Sequence, residues 1–241
     1  MNTSLVIGIA AGAVILTAAL AVMTPVKALA GARTFELAPF SRATVTSGLT
    51  AKFAVGATQS VAVDSVDARD MEDLRLQVID GHLHAWVARD FWDYVTFNLH
   101  DIAIAVTVPA LEQLGASSGA QVEAAGLRGN VAFEVSSGAS LKVAGIDAGA
   151  SRISASSGGS IWLDGSCVTE TVQISSEASI AGNGFECVDL EIEASSGSSS
   201  TFFTTGYVNA TASSGAIVNR LGGPDHVDDE TSSGGDVKII N

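Results

Sequence analysis

A Ser-Ser-Gly tripeptide returns seven times in the second half of the chain, starting at Ser117, Ser136, Ser156, Ser175, Ser195, Ser213 and Ser232, with Glu177 replacing the glycine of the fourth station. The intervals are 19, 20, 19, 20, 18 and 19 residues. So regular a period describes a stack of similar supersecondary units, each burying its apolar face against its neighbours. A second glycine follows nine residues after the first serine of five stations, at Gly126, Gly145, Gly165, Gly184 and Gly222. Each coil therefore has two corners where glycine supplies a positive φ or a close backbone approach.

Between the corners, apolar residues alternate with a spacing of two, the spacing of strands with one face turned to a core. Val122 and Ala124, Leu141 and Val143, Ile161 and Leu163, and Val237 and Ile239 follow the stations. Phe133 and Val135, Ile153 and Ala155, Val172 and Ile174, Ile192 and Ala194, and Ala210 and Ala212 precede them. Units of 18 to 20 residues rich in Ser, Gly, Thr and Val leave no room for a helix pair. The expected fold is all-β, a parallel β-helix or β-solenoid of 18–20-residue coils, right-handed as parallel crossovers overwhelmingly are. Six intervals at strand spacing give a rod of about 29 Å, with the corner serines placed to hydrogen-bond from coil to coil.

Residues 31–110 lack the period but read as short strands, with a helical turn over Ala68–Asp73 and a tight hairpin at Asp80-Gly81. Thr46-Ser47-Gly48 resembles the later corners, so 31–110 is expected to be an irregular β region capping the solenoid of residues 111–241. A cap answers the open strand edges that the first coil would otherwise present. Upstream, Leu5 to Met23 is apolar apart from Ser and Thr, and Ala28-Leu29-Ala30 is a small-x-small cleavage pattern. Residues 1–30 read as a secretory signal peptide or, uncleaved, as an N-terminal membrane anchor. Either exports the remainder to the periplasm or the cell surface. Lys27 is the one charged residue of this segment, so its removal takes the net charge from −14 to −15. Nucleic acid and anionic membrane surfaces are poor partners for such a chain.

Cys167 and Cys187 lie 20 residues apart, one coil, each immediately before a valine. Equivalent positions in adjacent coils are about 4.8 Å apart, within the Cα separation that a disulfide accepts, so the pair is expected to staple two coils in an oxidising compartment. No Cys-x-x-Cys spacing points to a redox catalyst.

Three stretches, Val78-Ile79-Asp80-Gly81-His82-Leu83, Val106 to Leu114 with Val108-Pro109-Ala110 at its centre, and the tandem Ser-Ser-Gly-Ala units ending in Ser232-Ser233-Gly234-Gly235-Asp236-Val237, occur in this order. In this arrangement the chain resembles the auto-transporter adhesin "head GIN" domain family over roughly residues 35 to 241. The resemblance implies an exported bacterial β-solenoid with an adhesin-like role, and it brings no catalytic residues to any position here.

Candidate sites then come from the residues themselves. His82 and His84 share a strand face but find no third ligand except through His100-Asp101, so a half-exposed pair is the better reading than a metal centre. Arg89 to Tyr94 places Trp92 and Tyr94 beside carboxylates, which suits either sugar stacking or the core of the cap. Trp162 falls between inward Ile161 and Leu163 and should point outward, and of Phe202 and Phe203 one ring should be exposed. An apolar patch there would mark a partner or a homo-oligomer contact. Glu134, Glu193 and Glu230 take outward positions two residues before their stations, with Glu191 and Asp228 beside them. Glycosidic cleavage requires two carboxylates in a groove, and no long loop supplies one. The sixth unit breaks the pattern with Pro224 to Glu230, an acidic segment that would hold a hard cation or keep the last coils from stacking on another molecule. The expectation is a non-enzymatic binding module without catalytic residues, cofactor or metal, contacting a glycan or an envelope protein along a rigid ladder. A self-assembling envelope component is the rival reading, a polysaccharide-acting β-helix enzyme the third, and an ice-binding ladder the fourth.

Overall fold

The computed structural model describes residues 33–65, 68–88 and 102–240, so the expected signal peptide, Trp92, Tyr94 and His100-Asp101 lie outside the described residues. The strands in chain order are β1 (Arg33–Phe35), β2 (Arg42–Val45), β3 (Thr50–Val55) and β4 (Ser60–Ser65), then helix α1 (Ala68–Asp73), and β5 (Leu74–Ile79), β6 (His82–Val87), β7 (Ile102–Val108), β8 (Gln113–Ala116) and β9 (Gln121–Ala125). The regular part comprises β10 (Arg128–Val135), β11 (Ser140–Ala155), β12 (Ser160–Ile174), β13 (Ser179–Ala194), β14 (Ser199–Thr204), β15 (Tyr207–Ala212), β16 (Ile217–Leu221), β17 (His226–Thr231) and β18 (Asp236–Ile239). From β8 onward every pairing is parallel, the signature of a β-solenoid.

Each station is a tight turn. Its second serine and its glycine both have positive φ, as at Ser118 (52°) and Gly119 (74°), and the amide three residues after the first serine closes the turn, Ala120 N–H on Ser117 O at 3.1 Å. Two successive left-handed residues suit a short polar residue followed by glycine. The corners are tied from coil to coil through backbone, not through serine hydroxyls: Gly119 N–H donates to Ser137 O, Gly138 N–H to Ser157 O, and Gly158 N–H to Ser176 O. One serine–serine contact between coils lies on the strand face, where Ser179 Oγ donates to Ser160 Oγ at 3.1 Å.

The second glycines differ from the expected second turn. Gly145, Gly165 and Gly184 lie inside the continuous strands β11, β12 and β13, beside register shifts at Val143/Ile146, Trp162/Asp164 and Gly182/Glu186. They are bulged bends that turn a long strand around the core.

The inward columns stack like on like. Phe133, Ile153, Val172, Ile192 and Ala210 occupy one column, and Val135, Ala155, Ile174, Ala194 and Ala212 the next, all buried. The N-terminal end is closed in a way the sequence did not reveal. The coil formed by β2 and β3 is sandwiched between β6 and β7 on one side and β8 and β9 on the other, so the chain's first coil is not the outermost. Beyond β6 and β7 the hairpin partner β5 and strand β4 pair antiparallel, with β1 antiparallel to β4. The Asp80-Gly81 turn forms as expected, both residues having positive φ. Among the described residues the last coil has no such cover: Val227 and Val237 are half-buried and Ile239 is 66% exposed.

Candidate binding surface

The parallel register sets outward side chains in straight columns. One runs Thr44, Gly115, Glu134, Ser154, Gln173, Glu193, Thr211 and Glu230, with His84 of β6 on the other side of Thr44. The first serines of the stations flank it. Two shallow grooves of about 340 and 400 Å³ meet along this column and share Ser154 and Ser156, the second reaching Glu193 and Thr211. The result is a continuous polar furrow along the rod, lined by hydroxyl, amide and carboxylate groups. Glu191 and Glu193, the carboxylates of the enzyme reading, share the exposed face of β13, and Glu193 alone of the two lines the second groove.

Around the corner lies the face carrying Trp162. Its ring is half-buried and outward between buried Ile161 and Leu163, in the orientation the alternation predicts. Lys142 on the rung before places Nζ 4.9 Å from the ring centroid, and Ala181 on the rung after leaves that side low. Phe202 is fully buried and Phe203 is half-buried outward, packed near Gly222. The furrow's lining includes neither aromatic.

His82 and His84 stack with centroids 4.3 Å apart, and His82 Nε2 lies 2.8 Å from Thr44 Oγ1. Burial, then the neighbouring His84 and Arg42, holds the His82 imidazole below its ordinary pKa. The pair is thus a partnered, half-exposed stack. The acidic segment places Asp228 and Glu230 outward on β17 and turns Asp229 toward Arg220, whose buried guanidinium approaches it at 3.7 Å. A further cleft of about 870 Å³ opens at the cap between the strap 34–41 and Pro109-Ala110. Gln59 pins that strap, its Oε1 accepting from Phe40 N–H and its Nε2 donating to Leu37 O and Ala38 O.

Cys167 and Cys187 face each other across β12 and β13 with Cα atoms 4.5 Å apart and are disulfide-bonded. Beside them lies a group the sequence reading passed over: Glu170, 2% exposed, with neither carboxyl oxygen hydrogen-bonded. Burial pushes its pKa up to about 8. The signal was present, because Glu170 occupies the inward column of Val131, Ser151, Leu190 and Val208.

A parallel ladder of Ser-Ser-Gly corners behind an antiparallel cap has close counterparts. The family described as "Putative auto-transporter adhesin, head GIN domain" matches residues 39–224. The chain belongs to the head GIN domain family. Among solved structures, a putative adhesin of Bacteroides fragilis superposes on this head GIN domain with a TM-score of 0.78, at 13% identity over 87% of this chain and 96% of the other. A putative adhesin of Parabacteroides merdae gives 0.66 at 12% identity, covering 88% and 96% of the two chains. A protein of Parabacteroides distasonis described as a putative lipid binding protein gives 0.62 at 12% identity, covering 87% and 96%. At these identities the likeness is one of fold. No curated protein matches this head GIN domain in sequence.

Proposed function

We propose that this head GIN domain is an exported, non-enzymatic adhesin-like module of the cell envelope that binds an extended neutral glycan along the corner furrow. The observation that supports this most directly is the furrow's periodicity. It repeats polar groups at each rung for the length of two adjoining grooves, so a polymer can make many weak contacts without any deep pocket. Such contacts gain through effective concentration along the chain. The carboxylates of the column and the net charge of −14 disfavour polyanions, while hydroxyls, amides and carboxylates all accept from or donate to sugar hydroxyls. Trp162, around the corner, offers a ring on which a branch or a second strand of glycan stacks. The family's adhesin description and the names of its structural neighbours accord with binding as the role.

The test is binding of the oxidised protein to a panel of neutral and acidic polysaccharides, with product analysis for cleavage. Ser154→Arg fills the furrow where the two grooves meet and is expected to abolish binding with an unchanged melting temperature. Trp162→Ala is expected to weaken it about fivefold or more, the scale of an interface anchor. No binding to any neutral polysaccharide, or wild-type binding by Ser154→Arg, overturns the furrow reading. Release of shortened products would return the molecule to the enzyme class.

A second reading, self-assembly, draws on the uncovered C-terminal coil, where Ile239 and Ile240 are exposed at the end of the core.

A further inference from the structure

The core of the rod is apolar along most of its columns; apart from buried Arg220 on β16, its buried polar side chains gather between β11 and β14. Ser151, Glu170 and Thr204 are 3%, 2% and 0% exposed, and Ser151 Oγ, both Glu170 oxygens and Thr204 Oγ1 have no hydrogen-bond partner. By register Ser151 lies beside Glu170, three residues along β12 from Cys167, and Thr204 lies beside Cys187, which pairs with Cys167. Unpartnered polar groups in a packed interior cost roughly 1–3 kcal/mol each, so three such side chains together ask for an explanation. The donor atoms of Cys167, Glu170 and Cys187 all lie within 4.8 Å of one another.

We propose that Cys167, Cys187 and Glu170 form a zinc site in the reduced chain, and that the disulfide replaces the metal as the staple between the same two coils. Two thiolates and one carboxylate are a donor set that Zn²⁺ accepts, with the fourth tetrahedral position left to Ser151 Oγ or a water. The redox step balances with a dithiol as reductant. Two electrons and two protons pass from the dithiol to the Cys167–Cys187 bond, giving two thiols, and the reductant closes its own disulfide. Zinc then displaces one proton from each thiol, and one from Glu170 where that carboxyl is protonated, and these leave to solvent. The carboxyl of Glu170 is what distinguishes this from an ordinary structural disulfide. A disulfide needs no neighbouring acid, whereas a two-thiolate site needs further donors. In this arrangement the rod has a staple in both redox conditions, metal before oxidation and sulfur–sulfur after it.

The full chain, reduced anaerobically with a phosphine, would be titrated with Co²⁺ as a spectroscopic probe and then with Zn²⁺. Expected is a thiolate-to-cobalt charge-transfer absorption that saturates at one equivalent and is displaced by zinc. The oxidised chain and Cys167→Ser should lack it. Glu170→Gln, an isostere that keeps the fold, should bind at least about tenfold more weakly, the order lost when a metal's polar environment is disturbed. A reduced chain that keeps its β-sheet circular dichroism and shows no such band overturns the site, as does equal affinity in Glu170→Gln. Should the reduced chain lose its fold without metal, zinc added during refolding is expected to restore both the circular dichroism and the cooperative thermal transition. Failure to restore them overturns the proposal equally.

Discussion

Glu170 on β12 stands across the ladder from Ser151 on β11, both side chains turned into the core and neither hydrogen-bonded. With a folded pKa of about 8 against an ordinary 4.5, the native state holds a proton that the unfolded chain gives up. Stability contributed through this group is therefore whole below about pH 4.5 and is lost as pH rises towards 8, by up to about 1.4 kcal/mol per unit. Urea midpoints of the oxidised protein measured from pH 5 to 8 should fall for the wild type more steeply than for Glu170→Gln. Parallel profiles would show that Glu170 is not protonated in the native state.

The fourth corner carries Glu177 at φ 59°, where the neighbouring corners carry Gly158 at 69° and Gly197 at 68°. A side chain in this region costs on the order of 1 kcal/mol, so Glu177→Gly is expected to stabilise the domain by about that amount. The reverse holds at the bulge glycine Gly165, where an added Cβ would collide with the backbone carbonyl of Ile146. Gly165→Ala should cost about 3 kcal/mol or more, whereas at Gly184 the nearest atom is a movable carboxylate oxygen of Asp164 at 3.0 Å, and alanine there should cost under about 1 kcal/mol. Chemical denaturation of the three variants checks the ranking.

Gln59 makes three hydrogen bonds to the strap that borders the cap cleft, at 3.2, 3.1 and 3.1 Å. Gln59→Ala removes them without touching a corner. The expected loss is about 1–2 kcal/mol, concentrated in the strap, with faster hydrogen exchange at Phe40 and unchanged protection in β11 to β13. Uniform loss of protection would mean that the strap unfolds only with the whole rod.

The repeat made the regular coils legible because a 19-residue period and a two-residue alternation each constrain the backbone independently, and both agree at Ile161, Leu163, Val172 and Ile174. The same register placed Trp162 outward and brought Cys167 opposite Cys187. It could not show that β2 and β3 lie between later strands, because pairing order at the cap is set by β4 and β5 turning antiparallel, which alternation alone does not encode. The furrow was equally hidden. Its lining residues are two apart in sequence from the stations, but a groove exists only through the depth of the corner beside the strand. Glu170 was legible in principle, as a carboxylate in a column of Val, Ser and Leu, but most of the chain's other described carboxylates face outward.

The uncovered C-terminal coil makes the sharpest distinction between a solitary binding rod and an assembling one. Strands β17 and β18 present free edges above a core that ends in Val227, Val237 and Ile239, a surface that invites pairing with another strand. Outward Asp228 and Glu230 set like charges where an antiparallel second copy would place its own, which opposes that pairing. Asp229 is best left in place, since it is the ion-pair partner of buried Arg220. Asp228→Asn combined with Glu230→Gln is therefore expected to sediment as a larger species than the wild type at equal concentration, and added salt should shift the wild type in the same direction by screening. If the double variant and the wild type sediment alike in low and high salt, the acidic strand does not guard the end. The open coil would then be inert by shape, and self-assembly would lose the support that this coil gives it.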